Sequence, residues 1–117
     1  MFNFEKLDVW QKSISFAGLI YEKTRLFPAE ERFGLTNQMH RAAVSISSNI
    51  AEGCSRASSP DFRRFGEIAV GSAFEVVSQT RIARSEGWLS DEDHTQIYTA
   101  ALEIVRMLSG LRSSLKD

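Results

Sequence analysis

The chain has little cysteine, little proline and no long hydrophobic run among its 117 residues. A lone Cys54 cannot form an intrachain disulfide, which favours a protein of a reducing compartment. The longest apolar stretch, residues 16–21, is far shorter than the about 20 residues that a membrane-spanning helix needs. The first residues lack a basic segment followed by a long apolar one, so they do not resemble a secretion signal. We therefore expect a soluble, cytoplasmic protein.

An excess of charge of one sign is also absent. Fourteen Lys and Arg residues oppose fifteen Asp and Glu residues, which gives a formal net charge of −1. Dedicated nucleic-acid binders are usually clearly basic, so this balance argues against that class while leaving room for a local basic patch. With 43% hydrophobic residues, the chain can bury a core. Its length fits a single domain over residues 1–117.

The scarcity of proline leaves four long segments uninterrupted. Pro28 and Pro60 both lie where a helix would begin, a position that tolerates proline because first-turn N–H groups lack an intrahelical partner. Apolar residues recur three and four positions apart along each segment, and no β-branched run is bounded by hairpin turns. Four helices of about 20 residues with short connections predict an all-α fold, an antiparallel up-down-up-down four-helix bundle.

The first segment carries two adjacent apolar stripes. The stripe that we expect to face the core consists of Leu7, Trp10, Ile14, Ala17, Tyr21 and Thr24. A monomer rarely leaves a second large apolar patch exposed, and the last segment also has a flanking stripe. We therefore predict a subunit interface formed by Val9, Phe16, Ile20, Phe27, Tyr98 and Leu102. The alternative is that these residues widen the core.

A polar strip runs along the second segment, because its members lie three or four positions apart. With two residues of the third segment, it comprises Gln38, Arg41, Ser45, Asn49, Glu52, Ser72 and Glu75. We predict a buried hydrogen-bond network in which Arg41 pairs with Glu52 or Glu75, since a buried charge is retained only when it is paired. A ligand or partner site is the alternative.

The sequence contains no pattern typical of a catalytic, metal or cofactor site. A di-iron bundle needs Glu-x-x-His on two helices, and neither His40 nor His94 has a glutamate three residues before it. Ser72 follows Gly71, but no second glycine completes a nucleophile elbow. No glycine-rich phosphate-binding loop is present. We predict a protein without enzymatic activity, metal or cofactor.

Five arginines are the candidates for nucleic-acid contact: Arg56, Arg63, Arg64, Arg81 and Arg84. Asp61 and Glu67 lie close to the first group in sequence, so a solvated surface of mixed charge is the favoured interpretation. The alternative function is an accessory protein that binds nucleic acid, with RNA or a retroelement as its partner.

Several motifs occur together and in order: LDVWQ at 7–11, FP at 27–28, FGLTNQ at 33–38, RAAVSISSNIAEG at 41–53 and IAVGS at 68–72. Over nearly its whole length the chain resembles the bacterial four-helix-bundle proteins called 23S rRNA intervening-sequence proteins, or S23-type proteins. The Ser-Ile-x-x-Asn-Ile-Ala-Glu-Gly block is the most specific part. The sequence departs from the family at Gly66, where a large apolar residue is usual.

The resemblance implies a cyclic assembly of identical bundles, typically five, that acts as a scaffold or adaptor. Relatives that serve diversity-generating retroelements bind a reverse transcriptase and nucleic acid, but they are strongly basic whereas this chain is near neutral. The resemblance therefore favours a non-enzymatic homo-oligomer, with nucleic-acid binding as the second choice.

Overall fold

The computed structural model describes residues 1–115, which form four α-helices and no strand. The helices are α1 (Asp8–Thr24), α2 (Leu35–Cys54), α3 (Ser59–Ser85) and α4 (Asp91–Ser114). Short 3-10 helices, Asn3–Lys6 and Ala29–Glu31, precede α1 and α2. None of the helices in this range combines the length and the apolar composition that crossing a membrane requires.

The helices form a rod of 46 × 22 × 21 Å. Each helix packs against the next along the chain and α4 packs back against α1, while the diagonal pairs α1–α3 and α2–α4 make no close contact within residues 1–115. Short connections between successive neighbours make those neighbours antiparallel. The fold is the predicted up-down-up-down four-helix bundle.

Helices α3 and α4 begin at serine caps, as their sequences predict. Ser58 Oγ accepts a hydrogen bond from the backbone N–H of Asp61 at 3.3 Å, and Ser90 Oγ accepts one from Asp93 N–H at 3.0 Å. Each bond satisfies an N–H group that lacks an intrahelical partner. Between the two helices Gly87 has a φ of 82°, in the left-handed region that glycine enters without a steric cost.

Thr36 is of a residue type that often caps a helix, but here it lies inside α2. The helix begins one residue earlier, at Leu35. The Glu31 carboxylate accepts the Leu35 N–H at 3.1 Å, because the preceding 3-10 turn brings that side chain back to the helix end. A carboxylate also suits the positive N-terminus of a helix.

Helices α2 and α4 bury the stripes that their sequences predict. The buried residues of these stripes are Met39, Ala43, Ile46 and Ile50 on α2, and Ile97, Ala101, Ile104 and Leu108 on α4.

The buried face of α1 is only in part the predicted one. Thr24 is buried, and Leu7, Trp10 and Ala17 pack against the core while partly exposed. Four residues assigned to a subunit interface are instead at most 7% exposed in the core of their own chain: Val9, Phe16, Ile20 and Phe27. Their assignment to an interface is wrong and the alternative, that they widen the core, is correct, because the other helices already cover them. Ile14 and Tyr21, which the sequence pattern places inward, are 46% and 44% exposed.

Two hydroxyl residues complete the buried stripe of α1. Thr24 belongs to the stripe that was expected to face the core, whereas Ser13 does not. Ser13 and Thr24 are both buried. The Ser13 hydroxyl donates to the Trp10 carbonyl at 2.6 Å, and the Thr24 hydroxyl donates to the Ile20 carbonyl at 2.8 Å. Because the polar atoms are satisfied within the helix, their burial costs little.

The four helices are packed unequally around the core. Helices α2 and α3 make the most extensive contact and α1 and α4 the least. A Cβ placed on Gly53 of α2 would lie 3.1 Å from Phe65 Cβ and 3.4 Å from the Phe62 carbonyl oxygen of α3, so these helices approach closely. Between α1 and α4 an open cavity of about 450 Å³ extends along the surface. The packing is therefore closest between α2 and α3 and most open between α1 and α4.

Candidate interaction surfaces

An apolar groove follows the outer surface between α3 and α4. Its cavity of about 370 Å³ is lined by Phe74, Val77, Ser78, Tyr98, Ala101, Leu102 and Val105. We call this surface the α3–α4 groove. Phe74 is 64% exposed, Tyr98 48% and Leu102 36%. Monomeric proteins rarely leave such a contiguous apolar surface in contact with water.

Small residues produce the α3–α4 groove. Ala101 forms its floor, and buried Ala73 fills little of the space between the two helices. The groove continues towards the start of α3 as a second cavity of about 220 Å³, which Gly66 lines. A Cβ built on Gly66 would have no heavy atom within 4 Å. The glycine that departs from the family pattern thus extends the open surface.

Two of the six residues assigned to a subunit interface, Tyr98 and Leu102, lie in the α3–α4 groove. The flanking stripe of the last segment is therefore on the surface, as expected of interface residues. Their role in an interface stays a prediction. Phe74 was missed, although Val70, Phe74 and Val77 lie at positions i, i+4 and i+7 of α3 and therefore share one face. That spacing was the available signal.

A second apolar surface lies on the opposite side of the bundle, between α1 and α2. Ile14 and Tyr21 of α1 and Val44 of α2 are 46%, 44% and 41% exposed. We call these three residues the α1–α2 ridge. The Tyr21 ring stacks on the imidazole of His40, with 3.9 Å between the ring centres. Sequence reasoning missed this surface because it placed Ile14 and Tyr21 in the core.

His40 is fixed against α1 by a hydrogen bond as well as by stacking. Its Nε2 lies 2.7 Å from Thr24 Oγ1. The Thr24 hydroxyl hydrogen is used towards the Ile20 carbonyl, so Nε2 carries a proton and donates. Burial lowers the pKa of His40 below its usual 6.5, because a partly desolvated imidazolium is less stable than the neutral ring.

The polar strip of α2 forms only a small hydrogen-bond network. Ser72 Oγ donates to Ser45 Oγ at 2.9 Å and so links α3 to α2. The Asn49 amide donates to the Ser45 carbonyl at 2.8 Å and lies 2.9 Å from Ser45 Oγ. These three side chains are buried or half-buried. They match the structural interpretation of the strip.

The remaining members of the predicted network are exposed: Gln38, Arg41, Glu52 and Glu75. The predicted pairing of Arg41 is wrong within the chain. Glu52 instead forms a salt bridge with Arg56 at 3.4 Å, and Glu75 accepts a hydrogen bond from Gln79 Nε2 at 3.3 Å. Arg41 has no salt bridge among the described residues, since its helix position directs it to solvent.

Gln79 is a buried polar residue that the sequence analysis did not select. It is 5% exposed, and its Oε1 has no hydrogen-bond partner within residues 1–115. The residue lies seven positions after Ser72, which is two helical turns. That spacing was the available signal for placing it on the α2–α3 seam.

The five candidate arginines do not form one patch. Arg64 and Arg81 are exposed and lie about 25 Å apart along α3, at about 1.5 Å per residue. The guanidinium of Arg56 stacks on the Phe65 ring at 4.8 Å. Arg63 is half-buried at the start of α3, and Arg84 lies 3.8 Å from an Asp91 carboxylate oxygen.

Titratable side chains with shifted pKa values occur at separate places. Burial raises the pKa of Cys54 at the end of α2. Burial, together with Arg84 and Arg81, lowers the pKa of His94 at the start of α4. Within the part of the chain that the structure describes, no three His, Cys, Asp or Glu side chains gather where they could hold a metal ion.

The face between α1 and α4 carries charged residues on both helices, beside apolar ones such as Leu19 and Ala100. Lys12 and Glu103 form a salt bridge across it at 3.1 Å. Nearer its other end, Lys23 lies 3.0 Å from Asp93, and the hydrogen bond to Asp93 raises the pKa of Lys23.

The comparisons with known proteins agree with the fold. A family model described as 23S rRNA-intervening sequence protein matches residues 5–110. A crystal structure from Bacteroides thetaiotaomicron VPI-5482, of a protein with unknown function from the S23 ribosomal protein family, has a TM-score of 0.81 and 24% sequence identity to this chain. The match covers 91% of this chain and 99% of that one. No curated protein matches the chain.

Proposed function

The chain belongs to the family of 23S rRNA-intervening sequence proteins, and we propose that it is a non-enzymatic four-helix bundle that assembles with copies of itself into a ring. In this proposal the ring is a cytoplasmic scaffold or adaptor. Five copies are the number that the resemblance of the motifs implies. Rings of identical subunits are closed by contacts between two different surfaces of each subunit.

The exposed α3–α4 groove is the observation that supports self-assembly. Burying one large apolar side chain is worth roughly 1.5–3 kcal/mol, and Phe74, Tyr98 and Leu102 are all substantially exposed in the single chain. A second copy that covers them would recover part of that free energy. The same groove is a poor catalytic site, since its polar groups are the hydroxyls of Ser78 and Tyr98.

The mass of the protein in solution tests this proposal. Light scattering after size-exclusion chromatography should give five times the chain mass of 13.2 kDa. The variant Phe74→Glu should lower that mass, because it places a charge in the groove. Gln96→Glu, an exposed change on the α1–α4 face, should leave the mass unchanged. A wild-type protein of 13.2 kDa throughout would refute self-assembly.

Nucleic-acid binding is the alternative function, and no feature of the surface favours it. The candidate arginines are divided between the two ends of α3, and Arg56 and Arg84 already face carboxylates. The absorbance ratio at 260 and 280 nm of the purified assembly tests the alternative. Co-purifying RNA whose release depends steeply on salt would overturn our preference.

A further inference from the structure

The α1–α2 ridge and the α3–α4 groove lie on opposite sides of the bundle and are both apolar. Resting on the self-assembly proposed above, we propose that the ridge of one copy seats in the groove of the next copy around the ring. The occupant of the groove is thus a second copy of this chain, presented through Ile14, Tyr21 and Val44.

The spacing of the side chains on the two surfaces agrees. Ile14 and Tyr21 are seven residues apart on α1, and Tyr98 and Val105 are seven residues apart on α4. Both separations are two helical turns, or about 10 Å along the axis. A ridge with this repeat can enter a groove with the same repeat, as in ridges-into-grooves packing of helices.

The unequal packing of the helices allows ridge-and-groove contacts to close into a ring. If the two contact surfaces were parallel, successive copies would build an open filament. In this proposal, the close α2–α3 packing at Gly53 and the open cavity between α1 and α4 incline the two surfaces towards each other. In a ring built in this way, α2 and α3 of each copy lie nearer the ring axis than α1 and α4. The α1–α4 face then points outward to water.

Charge complementarity adds to the fit at the inner edge of the contact, where α2 of one copy lies beside α3 of the next near the ring axis. Arg41 is exposed and has no salt bridge within residues 1–115, and exposed Glu75 accepts only the weak amide bond from Gln79. The hydrogen bond between Ser45 and Ser72 shows that these two serines lie at the same level along the bundle axis. Arg41 is one turn before Ser45, and Glu75 about one turn after Ser72 on an antiparallel helix.

In a ring whose axis is parallel to the helices, residues at the same level along one bundle also lie at the same level in the neighbouring copies. Arg41 of one copy then faces Glu75 of the next, across the ridge-and-groove contact. Arg41, which forms no salt bridge within residues 1–115, gains a partner in the assembly. Such a contact is heterologous, since each copy offers a different surface to each neighbour.

Two variants with one blocked surface each test the pairing of ridge and groove. Val44→Glu blocks the ridge and leaves the groove intact, while Leu102→Glu does the reverse. Both residues are partly exposed, and circular dichroism checks that each variant is folded. Gln96→Glu on the α1–α4 face is the matched control and should assemble like the wild type.

Each blocked variant alone should sediment as a 13.2 kDa monomer. An equimolar mixture should give a dimer of twice that mass. The intact ridge of one variant binds the intact groove of the other, and the two remaining surfaces are blocked, so no third copy can be added. If Leu102→Glu fails to fold, Phe74→Glu takes its place in the mixture.

The outcomes separate this inference from the proposed function. If the wild type assembles but the mixture stays monomeric, or if either single variant still assembles, the pairing is wrong and self-assembly stands. If the wild type is monomeric, both are wrong.

Exchanging the charges of Arg41 and Glu75 tests their proposed contact independently of the ridge and the groove. Arg41→Glu should reduce the assembled fraction, and the double variant Arg41→Glu/Glu75→Arg should restore it. A double variant no better assembled than the single one would contradict the proposed contact of Arg41 with Glu75.

Discussion

At the scale of single residues, hydroxyl and glycine positions determine which surfaces of the helices meet. Ser13 and Thr24 can be buried on α1 because each donates to a carbonyl of its own helix. Gly53 lets α3 approach α2 more closely than a side chain would allow without a shift of Phe65 or Phe62. Both effects depend on contacts that a polarity pattern does not represent.

Gly53 offers a direct test of the close approach. Gly53→Val should lower the free energy of unfolding by about 1–3 kcal/mol, as overpacking does elsewhere, since Phe65 Cβ and the Phe62 carbonyl cannot rotate away. Chemical denaturation at fixed protein concentration measures the change.

Gly18→Val is the matched control for Gly53→Val. Gly18 is exposed on α1, and a Cβ there meets nothing within 4 Å. Valine should therefore change stability by no more than about 0.5 kcal/mol, in the favourable direction. Equal losses at the two sites would contradict the account of Gly53.

His40 should make stability depend on pH. Its pKa in the folded chain lies below the unfolded value of 6.5 because of burial. As pH falls below about 6.5 the unfolded chain binds the proton first, so the free energy of unfolding decreases until the folded imidazole also protonates. His94, whose pKa burial also lowers, contributes with the same sign.

The variant His40→Gln tests this dependence, because glutamine can donate to Thr24 without titrating. The loss of stability between about pH 7.5 and about pH 5.5, a range that brackets the histidine pKa, should be smaller than in the wild type. An unchanged loss would exclude His40 as a source.

At the scale of helices, most of the architecture follows from the sequence. The caps Ser58 and Ser90 and the left-handed Gly87 mark the limits of α3 and α4 with local chemistry, so their prediction succeeds. The orientation of α1 does not follow in the same way. Its two apolar stripes are adjacent, and the positions of α2 and α4 decide which one is buried. The pairing of Arg41 failed for a similar reason, since spacing along one helix does not specify burial.

The pair Lys23–Asp93 joins the end of α1 to the start of α4. A cation at a helix C-terminus and an anion at an N-terminus are both favoured by the helix dipoles. The side chains of Lys23 and Asp93 are 18% and 34% exposed, whereas those of Lys12 and Glu103 are 50% and 49% exposed. Lys23→Met should therefore lower the melting temperature more than Lys12→Met. The reverse order would show that the pair does not hold α1 against α4.

At the scale of the whole molecule, the charged and apolar surfaces of the bundle are distributed as in a ring subunit. The side between α1 and α4 carries two ion pairs, two opposite sides expose large apolar side chains, and α2 and α3 pack most closely. A solitary bundle has no reason to expose Phe74 and Tyr98 beside Leu102. The sequence indicated the apolar excess, but only the fold located it, because four of the six predicted interface residues proved to be core.

Sedimentation equilibrium over a dilution series measures the central claim most directly. We predict a mass of five chains at high concentration that falls on dilution through assembled species towards the 13.2 kDa chain, as mass action requires. A mass of one chain at every concentration would contradict the account.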